Sequence, residues 1–197
     1  MEITAANIQA LRKATGAGMM DCKRALEEAA GDADKATEIL RKKGIMRAAK
    51  REDRETREGR VFSYIHMGGK IGVLVEVNCE TDFVARTEDF GNMCKDLAMH
   101  IAASNPDVVD RSTLSAEQLD KEREIYRAQA RETGKPENVL DKIVEGRIEK
   151  YYQEVCLVDQ PFVKNPEITI GELIKNSAAK FGEHVQVRRF ARFELGR

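Results

Sequence analysis

The sequence predicts an α+β protein: an N-terminal three-helix module, then a three-stranded antiparallel sheet with helices and an inserted antiparallel helical hairpin. Three observations predict it. Over residues 1–45, apolar residues recur at the three- and four-residue spacing of helices, with small and polar breakers between the runs. From residue 61, two alternating segments flank Gly68-Gly69, a dipeptide suited to a tight two-residue hairpin turn. A third alternating segment follows at residues 184–195, after a long stretch with helical periodicity.

Each element has a local reason. Thr4 can cap the first helix, with Ile8 and Leu11 facing inward and Thr15-Gly16-Ala17-Gly18 breaking it. Cys22, Ala25, Leu26 and Ala29 mark the second helix, which Gly31 stops. Asp32 caps the third, where Ala36, Ile39 and Leu40 face inward before Gly44 ends it. The pattern resembles a ubiquitin-associated module. Residues 41–60 hold nine basic and four acidic residues, and within them 46–58 read as a basic linker. That charge suits either a solvated connector or contact with RNA or an acidic protein face.

In the second strand Ile71, Val73, Val75, Val77 and Cys79 share one face. In the third, Val185, Val187, Ala191, Phe193 and Leu195 do. Phe62, Tyr64, Leu74 and Phe190 fall opposite, so both sides of the sheet need cover. A helix over 88–103, with Phe90, Cys94, Leu97 and Ile101 on its stripe, covers one side and completes the first part of the core, residues 59–110. Residues 111–157 form the hairpin: Ser115 and Gln118 make a capping box, Pro136 opens the second helix and Gly134 separates the two. Leu119, Tyr126 and Ala130 can meet Leu140, Val144, Ile148, Tyr151 and Val155. The second part of the core, 158–197, holds a helix opened by a Thr169/Glu172 capping box and stopped by Gly182, then the third strand.

Composition narrows the function. Charges nearly cancel, to −1 overall, which argues against a dedicated nucleic-acid binder. Cys22, Cys79, Cys94 and Cys156 are scattered without a C-x-x-C pair, so neither a zinc site nor a disulfide framework is expected. Three dispersed histidines nominate no catalytic or metal cluster. His66 and His184 read as surface residues, and a Cys79 nucleophile lacks a base. Gly16-Ala17-Gly18 lacks the spacing of a phosphate-binding loop. No cofactor, secretory signal or membrane span is expected, and a reducing cytoplasm fits.

The richest segment is Thr81-Asp82-Phe83-Val84-Ala85-Arg86, where a strand should turn into a helix. Phe83 is either the first core residue of that helix or a wedge for an apolar slot on a partner, with Asp82 bonding to exposed amides. Met19 and Met20 follow two glycines, and a core this small has room for one of them at most.

Residues 11–44, VNCETDFVAR (77–86), MHIAASNP (99–106), 134–157, QPFVK (160–164) and RRFARFELG (188–196) together resemble elongation factor Ts, in order and over nearly the whole chain. The resemblance implies a guanine nucleotide exchange factor for the GTPase elongation factor Tu, not an enzyme with catalytic residues of its own. It implies that Asp82 and Phe83, with Thr81 and Val84, enter the partner's G domain near its magnesium site. It implies docking by Arg12, Met19, Met20 and Lys23, and makes His100 a further contact. Longer members of that family carry two copies of the sheet-and-helix core; one is found here, which suggests a homodimer pairing sheet faces through Phe62, Tyr64, Leu74 and Phe190. No direct nucleic-acid contact and no membrane are expected.

Overall fold

Alternating and helical patterns resolve into eight helices and five strands among the described residues of a computed structural model, which are 3–15, 17–49, 51, 53–132 and 136–197. In chain order these are α1 (Ala5–Thr15), α2 (Met19–Glu28), α3 (Ala33–Ala49), β1 (Glu58–Ile65), β2 (Ile71–Cys79), α4 (Asp82–Ala85) and α5 (Glu88–Ser104). Then come α6 (Ala116–Arg131), α7 (Glu137–Val155), β3 (Pro161–Phe162), β4 (Asn165–Thr169), α8 (Ile170–Phe181) and β5 (Val185–Glu194). The main sheet has the order β1-β2-β5. The breaker Gly16 and the hairpin separator Gly134 lie outside the described residues.

The chain divides into two compact units, each assembled from three segments. The first comprises Met1–Arg60, Val77–Cys94 and Leu173–Gln186. Its helical module forms for the reasons the sequence offers. Thr4 Oγ1 accepts from the Asn7 amide at 3.3 Å, and Asp32 Oδ1 accepts from the Asp34 and Lys35 amides at 3.0 Å each. Gly31, at φ 84°, donates to the Leu26 carbonyl at 2.8 Å and closes α2. Leu11, Cys22, Ala25, Leu26, Ala29, Ala36 and Leu40 form its core, with Ile8 and Ile39 packed alongside.

Gly44 does not end the third helix: α3 runs on to Ala49. The residue serves close approach instead. A Cβ there would lie 3.0 Å from the Ala179 Cβ, so α3 meets α8 where one partner has no side chain and the other only a methyl. Phe90 and Phe181 pack with ring centroids 5.9 Å apart, and Lys180 pairs with Asp89 at 2.8 Å.

The second unit comprises Val61–Glu76, Lys95–Glu172 and Val187–Arg197. The hairpin loop is longer than two residues. The His66 amide donates to the Ile71 carbonyl at 2.9 Å and the Gly69 amide to the His66 carbonyl at 2.9 Å, leaving 67–70 as the loop. Gly68 and Gly69 adopt φ of 89° and 69°, which a side chain would strain. Val73 and Val75 are buried as alternation requires. Strand β5 departs from it: Val187 is buried, Arg188 and Arg189 are both exposed, and Phe190, Arg192 and Glu194 then take the more buried parity. Ala191, Phe193 and Leu195 are therefore exposed, not on the inward face with Val187. The reason is Arg192, whose Nε donates to the Ala102 carbonyl at 3.2 Å and whose Nη1 meets Glu194 at 2.8 Å.

The helical hairpin forms as expected. Ser115 and Gln118 complete the capping box, and Ala130, Leu140, Val144 and Ile148 are buried between the helices. Arg127–Asp141 at 3.0 Å ties α6 to α7 across the surface. Arg111 anchors the base, bonding both Glu149 and Asp159 while its guanidinium lies 4.2 Å over the Tyr152 ring. The β3–β4 ladder was not foreseen; Thr169 and Glu172 close the capping box of α8 directly after it.

Candidate functional site

The strand-to-helix corner after β2 is built from its backbone outward. Thr81 is the N-cap of α4, its hydroxyl accepting from the Val84 amide at 3.5 Å. A helix of four residues cannot hold itself, because it closes too few hydrogen bonds to offset the cost of nucleating its first turn. Its base is held from elsewhere. Glu183 Oε2 accepts from the Glu80 and Thr81 amides at 3.1 and 3.0 Å, and its Oε1 accepts from the Thr81 hydroxyl at 2.5 Å. In return, Glu80 accepts from the His184 amide at 2.6 Å and from Arg54 at 2.9 Å. His184 Nδ1 donates to the Arg54 carbonyl at 2.8 Å. Desolvation pushes the Glu80 carboxyl up, but the His184 amide and Arg54 outweigh it and hold it below the usual carboxylate range.

On this base Ala85 is buried, Val84 and Asp82 are half-buried, and Phe83 projects with 79% of its surface exposed. Asp82 pairs at 2.8 Å with Arg86, the residue that caps the C-terminal end of α4. Phe83 is thus not a core residue of the following helix, which Thr87 caps separately by accepting from the Phe90 amide at 3.2 Å.

The same unit carries the N-terminal candidates. Met19 and Met20 open α2 and are both exposed, at 53% and 63%, so neither fills the core as one of them was expected to. Arg12 and Lys23 are exposed as well, Lys23 in a long 3.8 Å pair with Glu27. His100 behaves differently. It is wholly buried, its Nε2 donating to Gln160 at 2.8 Å and its Nδ1 accepting from the Val163 amide at 3.3 Å. Burial is the larger influence and lowers its pKa, opposed by the Gln160 bond. Such a residue ties α5 to the β3–β4 ladder and offers no surface for docking, which corrects its expected place among the contacts.

The four residues expected on one open sheet face are not brought together there. Leu74 is exposed, whereas Phe62, Tyr64 and Phe190 follow the half-buried parity. The exposed apolar set is Val61, Ile65, Leu74 and Phe193, extended by Met67 and Leu195. Arg189 and Glu76 pair at 2.7 Å on the same side as Leu74.

All four cysteines are buried and free. Burial, with the charge of Glu183 second, pushes the Cys79 thiol to about 11; burial takes Cys94 to about 12; burial, then Asp159, takes Cys156 to about 11. Thiols held protonated this way are poor nucleophiles. Among the described residues, no three His, Cys, Asp or Glu side chains gather as metal ligands, and no helix is long and apolar enough to cross a membrane. Sequence reasoning missed Glu183 and Arg54; the only signal was an acid directly after the glycine that stops α8.

Comparison with known proteins matches residues 2–197 to the family described as Elongation factor TS. Similar relatives include the elongation factor Ts of Syntrophus aciditrophicus, 58% identical over 196 residues covering 100% of this chain and 98% of that protein. That of Geobacter sulfurreducens is 58% identical, covering 100% and 91%, and that of Heliobacterium modesticaldum 57% identical, covering 98% and 90%.

Proposed function

We propose that this chain, which belongs to the elongation factor Ts family, promotes GDP release from elongation factor Tu by inserting the Asp82–Phe83 tip into the G domain. The family's role is nucleotide exchange on that GTPase during translation elongation, and the cytoplasm is where this chain would perform it. The observation that carries the mechanism is Phe83, an aromatic side chain left 79% exposed on a helix whose base is clamped. An unpartnered ring on a rigid base is what a wedge requires. Asp82 would exchange its Arg86 pair for amides near the magnesium and phosphate site, disturbing the elements that hold them.

Magnitudes divide the labour. Exchange is reciprocal: if this protein weakens GDP binding, GDP weakens its own binding by the same factor. A shift of about 10⁴-fold requires about 5.5 kcal/mol. Burying one Phe supplies roughly 1.5–3 kcal/mol. The remainder falls to Val84, Thr81 and the N-terminal module, which we read as ubiquitin-associated-like and as docking through Met19, Met20, Arg12 and Lys23. Exposed methionines adapt to an apolar surface at low cost. A protein partner rather than nucleic acid also suits a net charge of −1.

Stopped-flow release of fluorescent GDP from elongation factor Tu tests the wedge. Phe83→Ala should slow release at saturating factor by about tenfold or more, the value of the lost burial, with an unchanged melting temperature. An unchanged rate would discard the wedge.

We also propose a homodimer. Its support is the apolar sheet face of Val61, Ile65, Leu74 and Phe193, which a soluble monomer would rarely leave open.

A further inference from the structure

We infer that Glu183 is a positioning residue for nucleotide exchange, its carboxylate setting the direction in which the Asp82–Phe83 tip points. The inference rests on the exchange function proposed above and adds a residue outside the tip. Phe83 is too exposed for packing to orient it, and α4 is too short to be stable alone. Orientation must therefore come from the backbone at the start of α4. One carboxylate, Glu183, takes the two consecutive amides of Glu80 and Thr81 at 3.1 and 3.0 Å, together with the Thr81 hydroxyl at 2.5 Å. By accepting the hydroxyl proton it directs a Thr81 lone pair toward the Val84 amide, so the cap of α4 depends on it. Bonds to an ionised acceptor are among the stronger ones available to a half-exposed corner.

Glu80 and His184 make the contact reciprocal: the Glu80 carboxylate accepts from the His184 amide at 2.6 Å, one residue beyond Glu183. Residues 80–81 and 183–184 thus grip each other through both backbones. Gly182, at φ 73°, ends α8 and turns the chain so that Glu183 reaches the corner.

The test uses the full chain with elongation factor Tu carrying fluorescent GDP, and hydrogen exchange on the free protein. Glu183→Ala should lower the maximal release rate by about tenfold and leave the half-saturating concentration within about twofold, since the methionine surface is untouched. Glu183→Gln keeps an oxygen for the two amides and turns its NH₂ toward the Thr81 oxygen, so it should restore the rate to within about threefold. In the free protein, the Glu80 and Thr81 amides should exchange about tenfold faster in the Ala variant than in the Gln variant. A wild-type maximal rate for Ala, an equal loss for Ala and Gln, or unchanged protection of the two amides would each overturn the inference. Should the Ala variant not fold, Thr81→Val removes the hydroxyl alone and should lower the maximal rate by about threefold; no change there would also overturn it. If wild-type protein fails to speed GDP release, the exchange reading falls, while the amide protection still decides whether Glu183 holds the corner.

Discussion

Residue by residue, the molecule separates apolar groups left facing solvent from groups enclosed in its interior. His100 belongs to the second kind, and its lowered pKa sets a pH dependence. Below its ordinary value of 6.5 the unfolded chain binds a proton that the buried neutral ring refuses, so stability falls as pH drops from 6.5 toward the folded value. Glu80 adds a second loss at lower pH. Its folded pKa lies below the ordinary 4.5, so its contribution is present above 4.5 and disappears as pH falls through the folded value. Urea unfolding at pH 7.5 and 5.5 should show lower stability at 5.5, and His100→Gln should shrink that difference; an equal difference in both proteins would remove His100 as its source. At this scale the sequence exposed the Asp82–Phe83 pair and the two methionines as notable, because they break the local pattern of buried apolar residues. It could not expose Glu183, whose partner at Thr81 is 102 residues away, nor the burial of His100, which follows from a Gln160 contributed by another segment.

Among the elements, agreement is closest where the cause is local. The capping boxes at Ser115 and Thr169, the Gly31 and Gly182 stops and the α5 stripe all depend on residues within a few positions of one another. Departures arise where tertiary contact decides. Gly44 looks like a helix stop in sequence, yet Ala179 makes it a crossing point inside α3. Gly44→Val should therefore destabilise by about 1–3 kcal/mol through overpacking, read as a lowered urea midpoint. A neutral result would show that the two helices part without penalty. Strand β5 changes parity because Arg192 finds acceptors inward, a choice that alternation of apolar residues does not encode. The two-residue β3 is too short to carry a period at all. Arg111 illustrates a hub that reads as an ordinary surface cation in sequence. Its two carboxylates raise its pKa, yet it is well exposed, so Arg111→Ala should cost only about 1 kcal/mol. The sharper effect should be faster proteolysis at the base of the helical hairpin, and an unchanged cleavage rate would show that Tyr152 and the buried seam suffice.

For the molecule as a whole, the division into two three-segment units means that neither can be excised as a continuous fragment. The proposed exchange contacts all fall in one unit and the open apolar sheet face largely in the other. Association and exchange should thus respond to different substitutions. Leu74→Glu with Phe193→Glu should convert a micromolar dimer to a monomer in sedimentation experiments and leave the Phe83-dependent rate per chain within about twofold, as expected for sites that share no partner residues. A wild-type monomer at that concentration would dispose of the dimer. The grip of Glu183 on Thr81 has a consequence for synthesis. The ribosome makes residue 81 long before residue 183, so a nascent chain that already displays Phe83 has no carboxylate to anchor it. On the proposed mechanism the corner would become competent only after residue 183 had also been translated. If the proposed wedge acts as described, an unfinished factor would thereby be kept from trapping the very GTPase on which its own completion depends.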